Sequence, residues 1–209
     1  MSTNANHKEL LRQLLRRKSL VRGTFTLASG RKSEYYLDCK LTTLDPEGAV
    51  LTGYTILELL ESQGIQPEAI GGPTIGADPI VAAVAAVSYL EGKPVPAFLV
   101  RKERKTHGCE KQIEGIEVAP GLKVVVVDDV CTTGGSTIDA IAAVEKAGLV
   151  IIAVVSLVDR EEGGSDVLRR KYPYYPVFTA RELLEDDSLS EPGSQKTPKN
   201  AVHSPTRDP

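Results

Sequence analysis

A chain of 209 residues, 41% hydrophobic and 25% charged, can bury one sizeable core and reads as one domain rather than two. Its 25 basic and 28 acidic residues give a net charge of −3, which supplies no overall basic field for nucleic acid. Cys39, Cys109 and Cys131 are widely spaced with no C-x-x-C, which suggests neither a disulfide framework nor a zinc site and fits a reducing compartment. Met1 to Lys8 is polar, and no apolar run approaches the roughly 20 residues of a membrane span, so a cytoplasmic protein with no membrane or nucleic-acid partner is expected.

In chain order, the first element is an amphipathic helix from about Asn6 to Lys18. Leu10, Leu11, Leu14 and Leu15 form its apolar stripe, and Arg12, Arg16 and Arg17 a solvated face. A helix this short is marginal alone, so the stripe must dock on the body or on a partner subunit. Val21 to Ala28 and Glu34 to Lys40 read as strands joined by the polar turn Ser29-Gly30-Arg31-Lys32-Ser33. The pair is either a plain surface hairpin or a small hood over a ligand. Asp45-Pro46-Glu47 is a strong helix start, and the helix should run to about Gln63, before Gly64.

Ala69 to Gly72 is a short apolar strand. The tight loop Pro73-Thr74-Ile75-Gly76-Ala77-Asp78-Pro79 follows it, and then a buried helix from Ile80 to Leu90. A Gly-containing loop between a strand and a helix is a place for an anion, though a plain turn explains it as well. Pro94 to Val100 is the next strand, with prolines that keep its start poorly paired. Arg101 to Gly108 holds four cations and one histidine among eight residues, with a polar continuation through Glu117, and reads as a mobile loop. It is either a solvated charge run or, because it starts at the edge where such sheets bind ligands, a lid that neutralises a polyphosphate.

The central stretch is Val124-Val125-Val126-Val127-Asp128-Asp129-Val130-Cys131-Thr132-Thr133-Gly134-Gly135-Ser136-Thr137. Four valines with no polar alternation require burial on both faces, hence a parallel strand covered by helices. The acids are expected where that strand ends, at the carboxyl edge used for ligands. Gly134 and Gly135 let main-chain N–H groups approach an anion, while Thr132, Thr133, Ser136 and Thr137 add hydroxyls at a helix start. No lysine follows as G-K-[ST], so this is not a Walker A loop. Two carboxylates beside a phosphate cradle must face something else, such as sugar hydroxyls or a cation; a phosphorylated ribose with Mg²⁺ satisfies both.

A helix from Ile138 to Lys146 follows, then a buried strand from Val150 to Val158 ending in Asp159-Arg160. Arg160 is either a surface ion pair or a clamp for a planar acid. A short helix near Val167 to Lys171, a strand near Pro176 to Phe178 and a helix from about Ala180 to Glu185 complete a domain spanning 1–185. The proline-bearing polar segment 186–209 is expected to be a disordered tail.

The central stretch resembles the phosphoribosyl diphosphate (PRPP) binding motif of the type I phosphoribosyltransferases. Phe25-Thr26-Leu27-Ala28-Ser29-Gly30-Arg31-Lys32-Ser33-Glu34-Tyr35-Tyr36 resembles the F-x-L-x-S-G-x-x-S-x-Y segment of the orotate phosphoribosyltransferases, and R-K-E-x-K-x-H-G at Arg101 to Gly108 resembles their catalytic loop. The resemblance, over roughly Val21 to Gly164, implies an α/β type I phosphoribosyltransferase fold: a mainly parallel central sheet flanked by helices, with a small hood from about 1–40. It implies Mg²⁺-dependent transfer of the phosphoribosyl group from PRPP to orotate, giving orotidine 5′-phosphate and diphosphate in pyrimidine biosynthesis.

Roles follow from the same likeness. Lys105, His107, Asp128 and Asp129 would be catalytic. Arg101, Lys102, Lys105, His107, Pro73 and Thr74 would bind diphosphate. Asp128, Asp129, Val130, Cys131, Thr132, Thr133, Gly134, Gly135 and Ser136 would hold ribose 5-phosphate, and Tyr36, Leu37, Thr132 and Arg160 would hold orotate. Mg²⁺ would be held mainly by PRPP, with Asp128 or Asp129 as the candidate protein ligand. The loop 101–117 would be shared within a homodimer. Ala28 departs from the family, several members of which carry lysine there. A purine phosphoribosyltransferase and a PRPP-sensing regulator share the fold, but the hood segment favours orotate and the basic loop favours chemistry.

Overall fold

The structure, a computed structural model, describes residues 6–26, 32–102 and 112–185. The first helix, α1 (His7–Lys18), is capped by Asn6, whose side chain accepts from the Glu9 N–H. Its Leu11, Leu14 and Leu15 are buried while Leu10 turns outward, a narrower stripe than the spacing predicts. The stripe docks on the body, against α2 (Lys40–Thr43), α3 (Pro46–Ser62) and α7 (Ala180–Leu184). The strands β1 (Leu20–Thr26) and β2 (Lys32–Leu37) form an antiparallel pair with Val21 opposite Tyr36 and Leu20 opposite Leu37.

The second strand stops short of the expected Lys40 for a local reason. Asp38 accepts from the Lys40 N–H through its carboxylate and from the Leu41 N–H through its carbonyl, an Asx-type turn that opens α2. Asp45 caps α3 as expected, accepting from the Glu47 and Gly48 N–H groups.

A six-stranded sheet forms the body. Its strands are β3 (Ala69–Pro73), β4 (Ala97–Val100), β5 (Ile113–Glu114), β6 (Lys123–Cys131), β7 (Val150–Asp159) and β8 (Tyr174–Thr179). Their order is β5-β4-β3-β6-β7-β8, parallel except for β5, which runs antiparallel to β4. The polar stretch through Glu117 was not expected to contain a strand; Ile113 and Glu114 form one by pairing with Val100 and Leu99.

The valines of β6 alternate between two cores. Val125 and Val127 join Ile70, Ile56, Leu15 and Ile80 on the face covered by α1, α3 and α4 (Asp78–Leu90). Val124 and Val126 join Phe98, Ala140 and Val144 on the face covered by α5 (Gly135–Lys146) and α6 (Gly164–Arg169). Burying each valine contributes about 1.5–3 kcal/mol. From β3 the chain winds outward through α4 to β4, then returns past β3 to β6 and winds the other way. The gap between the carboxyl ends of β3 and β6 is thus the switch point, where an open α/β sheet binds its ligand.

Candidate active site

The strand β6 runs on through Cys131, pairing Asp128 with Ser156 and Cys131 with Asp159 of β7. The acids therefore lie inside the strand, not beyond it, because a long β7 extends the ladder. The pleat sends them to opposite faces. Asp128 is 3% exposed. Its Oδ2 accepts from Ser136 Oγ at 2.9 Å and Thr137 Oγ1 at 2.6 Å, and its Oδ1 from the Asp129 N–H at 3.0 Å. Burial, reinforced by the charge of Asp129 and opposed by the two hydroxyls, pushes the Asp128 carboxyl up to about 6.

Asp129 is less buried. Its Oδ1 accepts from the Val130 N–H at 2.8 Å, and its Oδ2 faces the Lys40 ammonium at 3.8 Å. The loop after β3 packs against it so closely that a Cβ on Gly76 would lie 2.4 Å from a carboxylate oxygen. In that loop Pro73 is buried, the Thr74 N–H donates to the Val100 carbonyl at 3.1 Å, and the Thr74–Ile75 peptide is cis.

The cradle after β6 is Thr132 to Gly134, with α5 opening at Gly135. Gly134 adopts the left-handed conformation at φ 80°, and an added Cβ would lie 3.3 Å from Gly164 Cα. The first N–H groups of α5 lack partners within the helix and face this loop. Ser136 and Thr137, expected as phosphate donors, give their hydroxyl hydrogens to Asp128 instead. Cys131 is buried with its thiol raised by burial, so of the expected phosphate-side residues it can offer only backbone, and Val130 packs on the core.

Arg101 and Lys102 follow β4. Arg101 pairs with Glu114 at 3.2 Å and its carbonyl accepts from Gln112 at 3.0 Å. With Pro73, Ser136 and Lys146 they line a cleft of about 610 Å³ running along α5. Lys105 and His107 lie outside the described residues, as do Ala28 and the tail 186–209.

At the end of β7, Arg160 reaches the hairpin. Its guanidinium lies 4.5 Å from the centre of the Tyr35 ring, its Nη2 donates to Ser33 Oγ at 3.3 Å, and it pairs with Glu162 at 2.9 Å. Tyr36 is 45% exposed and packs on Phe25, while Leu37 is buried. The structure therefore gathers Asp129, the β3 loop, the α5 start and Arg160 with β2 around one edge. Lys40 and Asp38 join them without having been singled out from the sequence. The D-x-K spacing directly after the hairpin was the available signal.

The gathered edge is that of a phosphoribosyl-transferring protein, and the comparisons agree. The model of the phosphoribosyl transferase domain matches residues 52–183, and the chain belongs to that family. Within it the chain falls among the orotate phosphoribosyltransferases. That of Bradyrhizobium sp. is 42% identical over 188 residues, 88% of this chain and 100% of the relative. The crystal structure of the Mycobacterium tuberculosis enzyme with Fe(III) dicitrate superposes with a TM-score of 0.75 at 36% identity, covering 86% of this chain and 99% of that one. The same enzyme in complex with PRPP gives 0.71 at 35% identity, covering 85% and 98%.

Proposed function

We propose that this chain transfers the 5-phosphoribosyl group of PRPP to orotate, releasing diphosphate and forming orotidine 5′-phosphate. The observation that carries the reading is the shared edge: phosphate cradle, Asp129 and the β3 loop stand at the switch point, with Arg160 and the hairpin over them. The α5 start and its loop would take the 5′-phosphate through backbone N–H groups. Asp129, with lone pairs to spare, would accept from a ribose hydroxyl and favour the positive charge that develops as the bond to diphosphate breaks. Asp128 would fix Ser136 and Thr137 from behind. Arg101, Lys102, Lys105 and His107 would hold the departing diphosphate beside Pro73 and Thr74, and Arg160, Tyr36 and Leu37 would frame the base.

Mg²⁺ fits this donor set in one way only. Among the described residues no group of three or more His, Cys, Asp or Glu could hold a metal ion, and Asp128 is occupied by its own donors. An ion carried mainly by PRPP oxygens, with Asp129 as the protein carboxylate, matches the ordinary coordination of Mg²⁺ and would neutralise the leaving group. A homodimer sharing loop 101–117 is also part of the proposal. Supporting it, α4 carries no charge after Asp78, and Tyr89, Leu90, Ile75, Leu41 and Leu44 are exposed apolar residues around it. A cytoplasmic location is part of the same proposal. Among the described residues no helix is long and apolar enough to cross a membrane.

The test is a base panel. With saturating PRPP and Mg²⁺, orotate should be consumed and adenine, guanine and uracil left untouched; turnover of a purine alone would reject the assignment.

A further inference from the structure

We propose that Lys40 is a positioning residue for the phosphoribosyl donor: clamped between Asp38 at the foot of the hairpin and Asp129 of β6, it aims the Asp129 carboxylate at the ribose. The inference rests on the PRPP-dependent reading above and deepens it.

Lys40 Nζ lies 2.7 Å from Asp38 Oδ1 and 3.8 Å from Asp129 Oδ2. The Asp129 carboxylate is thereby restrained from three directions. The Val130 N–H holds Oδ1, Gly76 closes one side where even a methyl would collide, and the ammonium attracts Oδ2. The first two restraints are backbone and remain whatever the side chains do. Lys40 supplies the only one of the three that a side chain makes.

Its position gives the contact a second consequence. Lys40 opens α2 directly after β2, so a two-residue turn connects the strand beneath the base to the acid beneath the ribose. The ammonium also offsets the repulsion between the adjacent carboxylates Asp128 and Asp129, and repulsion left unopposed would bear on Asp129, which is less buried and has fewer hydrogen-bond donors. A plain surface ion pair would behave differently. Such pairs are worth little, and losing one leaves kinetics untouched.

The experiment uses the full chain with Lys40→Met, which keeps the stem and removes the charge, alongside Lys40→Arg and Asp38→Asn. KM is measured for PRPP at saturating orotate and Mg²⁺, and for orotate at saturating PRPP. Lys40→Met should raise the PRPP KM about tenfold while the orotate KM stays within about twofold and the thermal midpoint does not move. Lys40→Arg should restore the PRPP KM to within about threefold, and Asp38→Asn should fall between. An unchanged PRPP KM, a parallel rise in both KM values, a lowered thermal midpoint or an arginine variant no better than methionine would overturn the inference. Calorimetric binding of PRPP with Mg²⁺ and no base separates the two readings. If the parent chain binds PRPP but consumes no orotate, the base assignment fails, and the Lys40 inference is then decided by whether Lys40→Met weakens that binding.

Discussion

The edge of β6 and the hairpin β1–β2 meet over the same gap but are held by different forces. Asp128 lies among buried valines and takes its donors from Ser136 and Thr137, Gly76 sits directly against the Asp129 carboxylate, and Gly134 holds a left-handed backbone close against Gly164. The hairpin is largely exposed along β1 and is joined to the edge by an arginine over a tyrosine ring, one hydroxyl contact and, at its foot, the Asp38–Lys40–Asp129 contacts. A packed edge defines geometry to a fraction of an ångström, and a lightly tethered hairpin can adjust. In the reading proposed above, the difference divides the labour: the densely packed edge would hold the phosphoribosyl group, and the more exposed hairpin would frame the base.

That division can be broken most severely at Asp129. Asp129→Ala should cut turnover about 100-fold or more while changing unfolding free energy by less than about 0.5 kcal/mol, since the side chain is partly exposed and paired weakly. Steady-state kinetics and urea unfolding on the same preparation check both halves. Asp128 should do the reverse and report through stability. Its folded pKa, about 6, lies above the ordinary value, so between about pH 4 and 6 the folded state binds more protons than the unfolded one. Stability from this group is then present below pH 4 and is lost as the pH rises through 6, on the order of 3 kcal/mol. Urea midpoints of the parent chain and Asp128→Asn across pH 4 to 7 should diverge as the pH rises, and parallel curves would remove Asp128 from the account.

Gly76→Ala is the finer cut. Its methyl meets a movable carboxylate rather than backbone, so stability should change by less than about 1 kcal/mol while kcat/KM for PRPP drops about tenfold. The smallest effect belongs to the hairpin. Tyr35→Leu loses a cation–π contact worth about 0.5–1 kcal/mol, and the orotate KM should rise two- to fivefold with the PRPP KM unmoved.

Much of the rigid edge was legible in the sequence because burial writes itself as pattern. Val124 to Val127 required two covered faces, and Asp45-Pro46-Glu47 required a helix start. The movable part was legible only as a resemblance, since Ser33 and Tyr35 gain meaning through Arg160, which is 127 residues distant from Ser33. The length of β6 was misread because a strand's end depends on its neighbour, and β7 carries pairing past the acids. The destinations of the Ser136 and Thr137 hydroxyls follow from the same extension, which leaves Asp128 buried beside them. Lys40 is unmarked in the sequence because it reads as the last residue of a strand, and it is the turn made by Asp38 that brings it toward Asp129.

The most direct test of the whole account is diphosphate release from PRPP by the full chain with Mg²⁺, measured with and without orotate. Release should depend on orotate and be matched mole for mole by orotidine 5′-phosphate. Release that proceeds equally without orotate, or no release in its presence, would contradict it.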